Sequence, residues 1–165
     1  MTTQTIEMLT PYEKLAAMGI ELDPILVPGA AFEMAVQSGN LVFVSGHIAR
    51  RSGASWQGKL GAGIGTEEGK AAARAAAVDL VATLHEFLGD LCRVKRIVKV
   101  MSLVNSSTDY TEQHVVTNGA SELLREVFGE VGRHARSAFG VAQLPLGACV
   151  EIEMVVELHD PKVQS

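Results

Sequence analysis

Hydrophobic and polar positions along the 165-residue chain change their period several times, and each change marks an element. The first signal is Thr10, Pro11 and Glu13: a hydroxyl N-cap, a proline at the first helical position and the glutamate of a capping box. They predict a short helix over residues 11–18, with Leu15 and Met18 inward and Gly19 as its stop. AFEMAVQ and LVFVSG flank Ser38-Gly39-Asn40 and predict a hairpin across residues 31–45. The stretch from His47 to Ile64 is rich in Gly, Ser and Arg and predicts one long loop, a kind of segment that often carries function.

The period then becomes helical. Val78, Val81, Leu84 and Leu88 recur at steps of three and four in an Ala-rich segment, which Thr66 is expected to cap and Gly89 to end. Glu67 and Glu68 suit its positive N-terminal end. IVKVMSLVN, residues 97–105, predicts a central strand, and residues 111–128 a second helix with Val116, Ala120, Leu123, Leu124 and Val127 on one face. SAFGVAQL and ACVEIEMVVEL predict two closing strands joined at Pro145-Leu146-Gly147. In the last strand Val150, Ile152 and Met154 alternate with Glu151 and Glu153, so carboxylates line one face. The order is β-β-α-β-α-β-β. Two helices cover one face of such a sheet, and the Val, Phe and Met of the other face call for burial against further copies of the chain.

Composition fits one globular domain, with 47% hydrophobic and 20% charged residues; aromatics are only 5%, so Ala, Val and Leu must fill the core. A net charge of −5 and a densest basic run of only Arg133, His134 and Arg136 argue against nucleic acid as a partner. The N-terminal residues lack a basic-then-apolar signal pattern, and no apolar run approaches the ~20 residues that cross a bilayer, so no membrane partner and a cytoplasmic location are expected. Cys92 and Cys149 show no CxxC spacing, sit in apolar company and are expected as buried free thiols. The five histidines lack HxH or HxxxH spacing, so no metal is expected. The Gly61–Gly65 run lacks the lysine of a phosphate loop, and no cofactor is implied.

Two segments, GNLVFVSGHI (residues 39–48) and ARSAFGVAQLPLGACVEIE (residues 135–153), resemble the RidA/YjgF family, which includes the liver perchloric-acid-soluble proteins. With the element order, the resemblance spans residues 28–158. It divides the chain into an N-terminal extension with a short helix (1–27) and a RidA/YjgF-like domain (28–160). It implies an α+β, chorismate-mutase-like fold: a mixed β-sheet backed by two helices, assembled as a homotrimer in a trimeric barrel with sites in the clefts between subunits. The implied activity is hydrolysis of 2-imino acids and their enamine tautomers to 2-keto acids and ammonia, with a small carboxylate-bearing metabolite as ligand. By the same resemblance Arg136 is the carboxylate clamp, Glu151 places the water, and main-chain groups near Ala138 face the reacting atoms. A guanidinium forks onto a carboxylate with a geometry lysine cannot reproduce. Ser45 and Gly46 fall at the pocket. Phe32 stands where the family carries a tyrosine, His47 where it usually has glutamine, and Asn118 is the nearest match to a helix-borne asparagine.

Each residue also has a plainer reading. Arg136 could pair with a surface acid, and Glu151 could line an interface between subunits. His47 could be a hydrogen-bonded wall residue, Arg133 and His134 solvated loop residues, and Trp56 a packing residue rather than a pocket cap. Three functions are weighed on this basis: the imine deaminase, a non-catalytic binder of a small carboxylate, and an endoribonuclease. The last conflicts with the net charge of −5.

Overall fold

The computed structural model describes residues 9–25 and 31–160. The boundary expected at residues 27 and 28 lies outside them. Helix α1 spans Pro11–Ala17, and its capping box is complete: Glu13 N–H donates to Thr10 Oγ1 at 3.2 Å while Thr10 N–H donates to Glu13 Oε2 at 2.7 Å. Strands β1 (Ala35–Ser38) and β2 (Leu41–Ile48) form the expected hairpin. Four two-residue strands follow: β3 (Arg50–Arg51), β4 (Ala54–Ser55), β5 (Lys59–Leu60) and β6 (Gly63–Ile64). Helix α2 (Thr66–Leu88), strand β7 (Val94–Asn105), helix α3 (Gln113–Phe128), and strands β8 (Ala135–Val141) and β9 (Val150–Leu158) complete the domain.

The five-stranded sheet has the order β1-β2-β9-β7-β8, parallel only between β7 and β8 and antiparallel elsewhere. Both long helices lie on one face. All five positions expected to face inward on α3 are fully buried, and Leu80, Val81 and Leu84 of α2 meet them over Ile97, Val100, Ile152 and Met154. The helices approach closely because Gly119 has no side chain; a Cβ there would collide with the backbone carbonyl of Lys70. The other sheet face is uncovered in the single chain and presents Phe43 (48% exposed), Phe139 (42%), Val36 and Leu41. Burial along β9 alternates strictly, with Glu151 and Glu153 on that open face.

Four expectations are corrected. Residues 50–64 are not one loop, because short backbone ladders pair β3 with β4 and β5 with β6. The N-cap of α2 is Gly65; Thr66 is the first helical residue, and its hydroxyl is taken by Tyr110 and Glu112. Cys149 is buried, and burial pushes its thiol up to about 11, whereas Cys92 is exposed at the centre of a single turn of 3-10 helix, Leu91–Arg93. Val78 is only partly buried; the inward face of α2 is instead widened by Ala72, Ala73, Ala76 and Ala77.

Candidate functional site

Strand β2 carries the first half of the site. Its pairing with β9 slips between Val44 and His47, a bulge that takes in Ser45 and Gly46. Ser45 ties this bulge to the segment just before β1, its N–H donating to Met34 O at 2.9 Å and its hydroxyl to Glu33 O at 2.6 Å. Gly46 leaves room for Glu151, whose carboxylate lies where a Cβ on residue 46 would be. Burial, and then the neighbouring Glu153 charge, push the Glu151 carboxyl above the ordinary range. Phe32, Met34, Gly46, Ile48 and Leu146 line a cleft of about 370 Å³ beside this strand, with the Arg50–Asp79 ion pair (2.9 Å) also on its wall. Leu146 is the most exposed large hydrophobic residue here and holds a left-handed backbone, φ 55°.

The bulge also turns His47 away from the open face. Its ring is buried against α2, with Nδ1 2.7 Å from Ser45 O and Nε2 2.7 Å from Thr83 Oγ1. Its side chain is therefore a brace between β2 and α2, and what position 47 offers a ligand is wall rather than an imidazole. Trp56 likewise packs outside this cleft: its indole N–H donates to Glu68 at 3.1 Å and Arg51 stacks 4.9 Å above its ring.

The second half of the site lies at the β8 edge. Arg136 sits opposite Val100 of β7, on the helix side of the sheet. Its Nη1 donates to Ser121 Oγ and its Nη2 to the His114 carbonyl, both at 3.1 Å. No carboxylate pairs with it among the described residues; both recorded acceptors are neutral. His114, Asn118 and Ser121 share one stripe of α3, spaced by four and three residues, so Asn118 stands between the two groups that hold the guanidinium. Ala138 follows two residues along β8 on the same face, opposite Ser102. Ser121, Arg125, Arg133, His134 and Arg136 surround a depression of about 230 Å³.

One chain does not bring these halves together. Glu151 faces the open side of β9 and Arg136 the helix side of β8, two strand spacings or about 10 Å away across the sheet. Ser121 and Thr83, which orient the two site histidines, were not singled out from the sequence. The 114-118-121 stripe of polar residues beside the apolar face of α3 is the signal that could have found Ser121.

Residues 12–158 match the family described as YjgF/chorismate mutase-like, putative endoribonuclease. The chain belongs to this family. The YjgF-like chain is 49% identical over 148 residues to Protein TCP17 of Trypanosoma cruzi, covering 88% of itself and 92% of that protein. Among solved structures it is similar to the Agrobacterium tumefaciens protein Atu1372, described as of unknown function: TM-score 0.84 at 37% identity, over 91% of this chain and 94% of that one. It is also similar to a Shewanella oneidensis protein described as a putative endoribonuclease: TM-score 0.87 at 32% identity, over 91% of this chain and all (100%) of that one. The family match begins inside α1, so it includes part of the stretch set apart as an extension. The YjgF-like α+β fold, a mixed sheet with two main helices, is thereby shared with relatives above 30% identity.

Proposed function

We propose that the chain hydrolyses the C=N bond of 2-imino acids in clefts between three copies of itself. The observation that carries this reading is Arg136: a half-buried guanidinium oriented by neutral acceptors, its charge left unpaired by any carboxylate among the described residues. Such a group is prepared to take the carboxylate of a ligand. The uncovered apolar face supports the assembly, since Phe43, Phe139, Val36 and Leu41 need a partner surface. Copies packed sheet to sheet would border the edge strand β8 of one with the Glu151–Gly46 cleft of the next, and Arg136 would reach that cleft around the edge.

In such a cleft Arg136 holds the substrate carboxylate and so fixes the imine carbon, which supplies orientation. Glu151 accepts a hydrogen bond from a water and takes its proton as the oxygen adds to the imine carbon. The proton passes to nitrogen, the carbinolamine collapses, and ammonia and a 2-keto acid leave. A carboxyl held above its ordinary range by burial is a stronger base once ionised, which suits this step.

The test generates imino acids from a panel of amino acids with an amino-acid oxidase and follows keto-acid release, with sedimentation measured in parallel. The wild type should run as a trimer and accelerate release. Arg136→Ala should lose about a hundredfold in kcat/KM, the ~3 kcal/mol of charge-assisted bonds to a carboxylate. Gly46→Ala should displace the Glu151 carboxylate, a flexible side-chain end, and so lower kcat while leaving the melting temperature nearly unchanged. A monomer, or release no faster than buffer across the panel, overturns the proposal.

A second reading, a non-catalytic binder of a small carboxylate, is favoured by Phe32, which lines the cleft without a hydroxyl. Retained binding of 2-keto acids without turnover would select it. RNA cleavage, the activity in the Shewanella relative's description, runs against the net charge of −5 and the Glu151–Glu153 row on the open face.

A further inference from the structure

We propose that Ser121 and His134 form a one-way hydrogen-bond relay that positions Arg136, and that protonating His134 breaks it and loosens the grip on a carboxylate. The inference rests on the clamp reading of Arg136 and adds two positioning residues and a pH response to it.

Every link has a fixed direction. His134 Nδ1 lies 2.7 Å from the Gly132 carbonyl, which can only accept, so Nδ1 carries the proton. The neutral ring therefore offers a lone pair at Nε2, 2.9 Å from Ser121 Oγ, and the serine hydroxyl donates to it. That leaves the serine oxygen's lone pairs for Arg136 Nη1 at 3.1 Å, which can only donate. The path runs Arg136 to Ser121 to His134 to Gly132 O, joining helix α3 to the edge of β8. The His114 carbonyl holds Nη2 and fixes the guanidinium plane at a second point.

An imidazolium donates from both nitrogens. Ser121 Oγ would then meet donors from both sides, its own proton would have to turn away, and a second cation would stand beside the guanidinium. The charged groups around the ring are mostly positive: Arg136 and Arg133 from its own segment and Arg125 from α3. Glu130 is the nearby acid and already pairs with Arg133 at 3.2 Å; Lys99 of β7 is directed to Ser137 at 2.9 Å. Burial and the Arg136 charge hold the His134 ring below its ordinary value, in keeping with a neutral working form.

The experiment titrates the full chain with 2-oxobutanoate by calorimetry between about pH 5 and pH 8, the range over which histidine changes charge. Wild-type affinity should fall roughly three- to tenfold on acidification as the relay breaks. His134→Gln, which keeps an acceptor near Nε2 but does not titrate, should hold the neutral-pH affinity and flatten the profile. Ser121→Ala and His134→Ala should weaken binding roughly tenfold at pH 8 and also lose the pH step. Affinity that rises as pH falls would mean that His134 acts only as a local charge, and would overturn the relay. So would Ser121→Ala binding as tightly as wild type.

If the wild type binds no 2-oxobutanoate at any pH, the clamp reading fails, and the relay is decided separately by ligand-free NMR. The Arg136 Nε–H resonance should be sharp and slowly exchanging at neutral pH and should broaden on acidification and in Ser121→Ala. A resonance indifferent to both overturns the relay.

Discussion

Two histidines in this molecule are wired almost identically and differ in what lies beyond them. In each, Nδ1 meets the carbonyl two residues earlier at 2.7 Å, Ser45 for His47 and Gly132 for His134. In each, Nε2 meets a hydroxyl of a long helix, Thr83 at 2.7 Å and Ser121 at 2.9 Å. Burial is the first cause holding both rings below their ordinary value. His47, however, is 5% exposed, and among the described residues Thr83 is the last group on its path, so the arrangement ties β2 to α2. His134 sits half-buried at the sheet edge, and Ser121 passes the path on to a guanidinium. The same local device is a brace where its hydroxyl ends the chain of bonds and a handle where the hydroxyl has another donor to serve.

The largest consequence concerns the brace. His47→Ala removes two hydrogen bonds and opens a void in a packed layer, and should cost about 3 kcal/mol in urea unfolding. A cost no greater than that of His134→Ala would erase the contrast between the sites. The brace also sets a pH response. Above the ordinary histidine value of 6.5 neither folded nor unfolded chain holds the extra proton, and stability is complete. As pH falls below it, the unfolded chain takes up protons first, so stability declines until the lowered folded-state value is reached, then levels off. His47→Gln should remove most of that decline, measured as urea unfolding free energy against pH. Thr83→Val comes next: it keeps the shape but leaves Nε2 buried without a partner, at about 1–2 kcal/mol.

How much of this was legible beforehand depended on period. Helix α3 was readable because Val116, Ala120, Leu123, Leu124 and Val127 repeat at helical steps, and all five are buried. The β9 alternation placed Glu151 and Glu153 on one face correctly. His47 illustrates the opposite. Strict alternation from Phe43 through Ser45 puts it on the open face, but the bulge at Ser45 and Gly46 inserts an extra step and sends it into the helix layer. No run of residues announces a bulge by period alone. The β3–β4 and β5–β6 ladders are too short to leave any pattern, and the Thr66 hydroxyl left its capping role for Tyr110 and Glu112, partners more than forty positions away. Arg136 was found by resemblance; that Ser121, fifteen positions earlier, aims it is a fact of tertiary packing.

The smallest predicted effect is the one that separates brace from handle most sharply. Ser121→Ala deletes a hydroxyl from a half-buried, solvent-accessible edge, where a mobile water can satisfy His134 Nε2 and Arg136 Nη1 without holding the guanidinium in place. Its cost in urea unfolding should be about 0.5 kcal/mol, well below that of Thr83→Val, although both remove one hydroxyl facing one imidazole. Equal costs would show that Ser121 is as much a part of the scaffold as Thr83. Repeating both measurements over a wide range of protein concentration then tests whether the chain's own fold accounts for the burial, because burial against a second copy would make the costs depend on concentration.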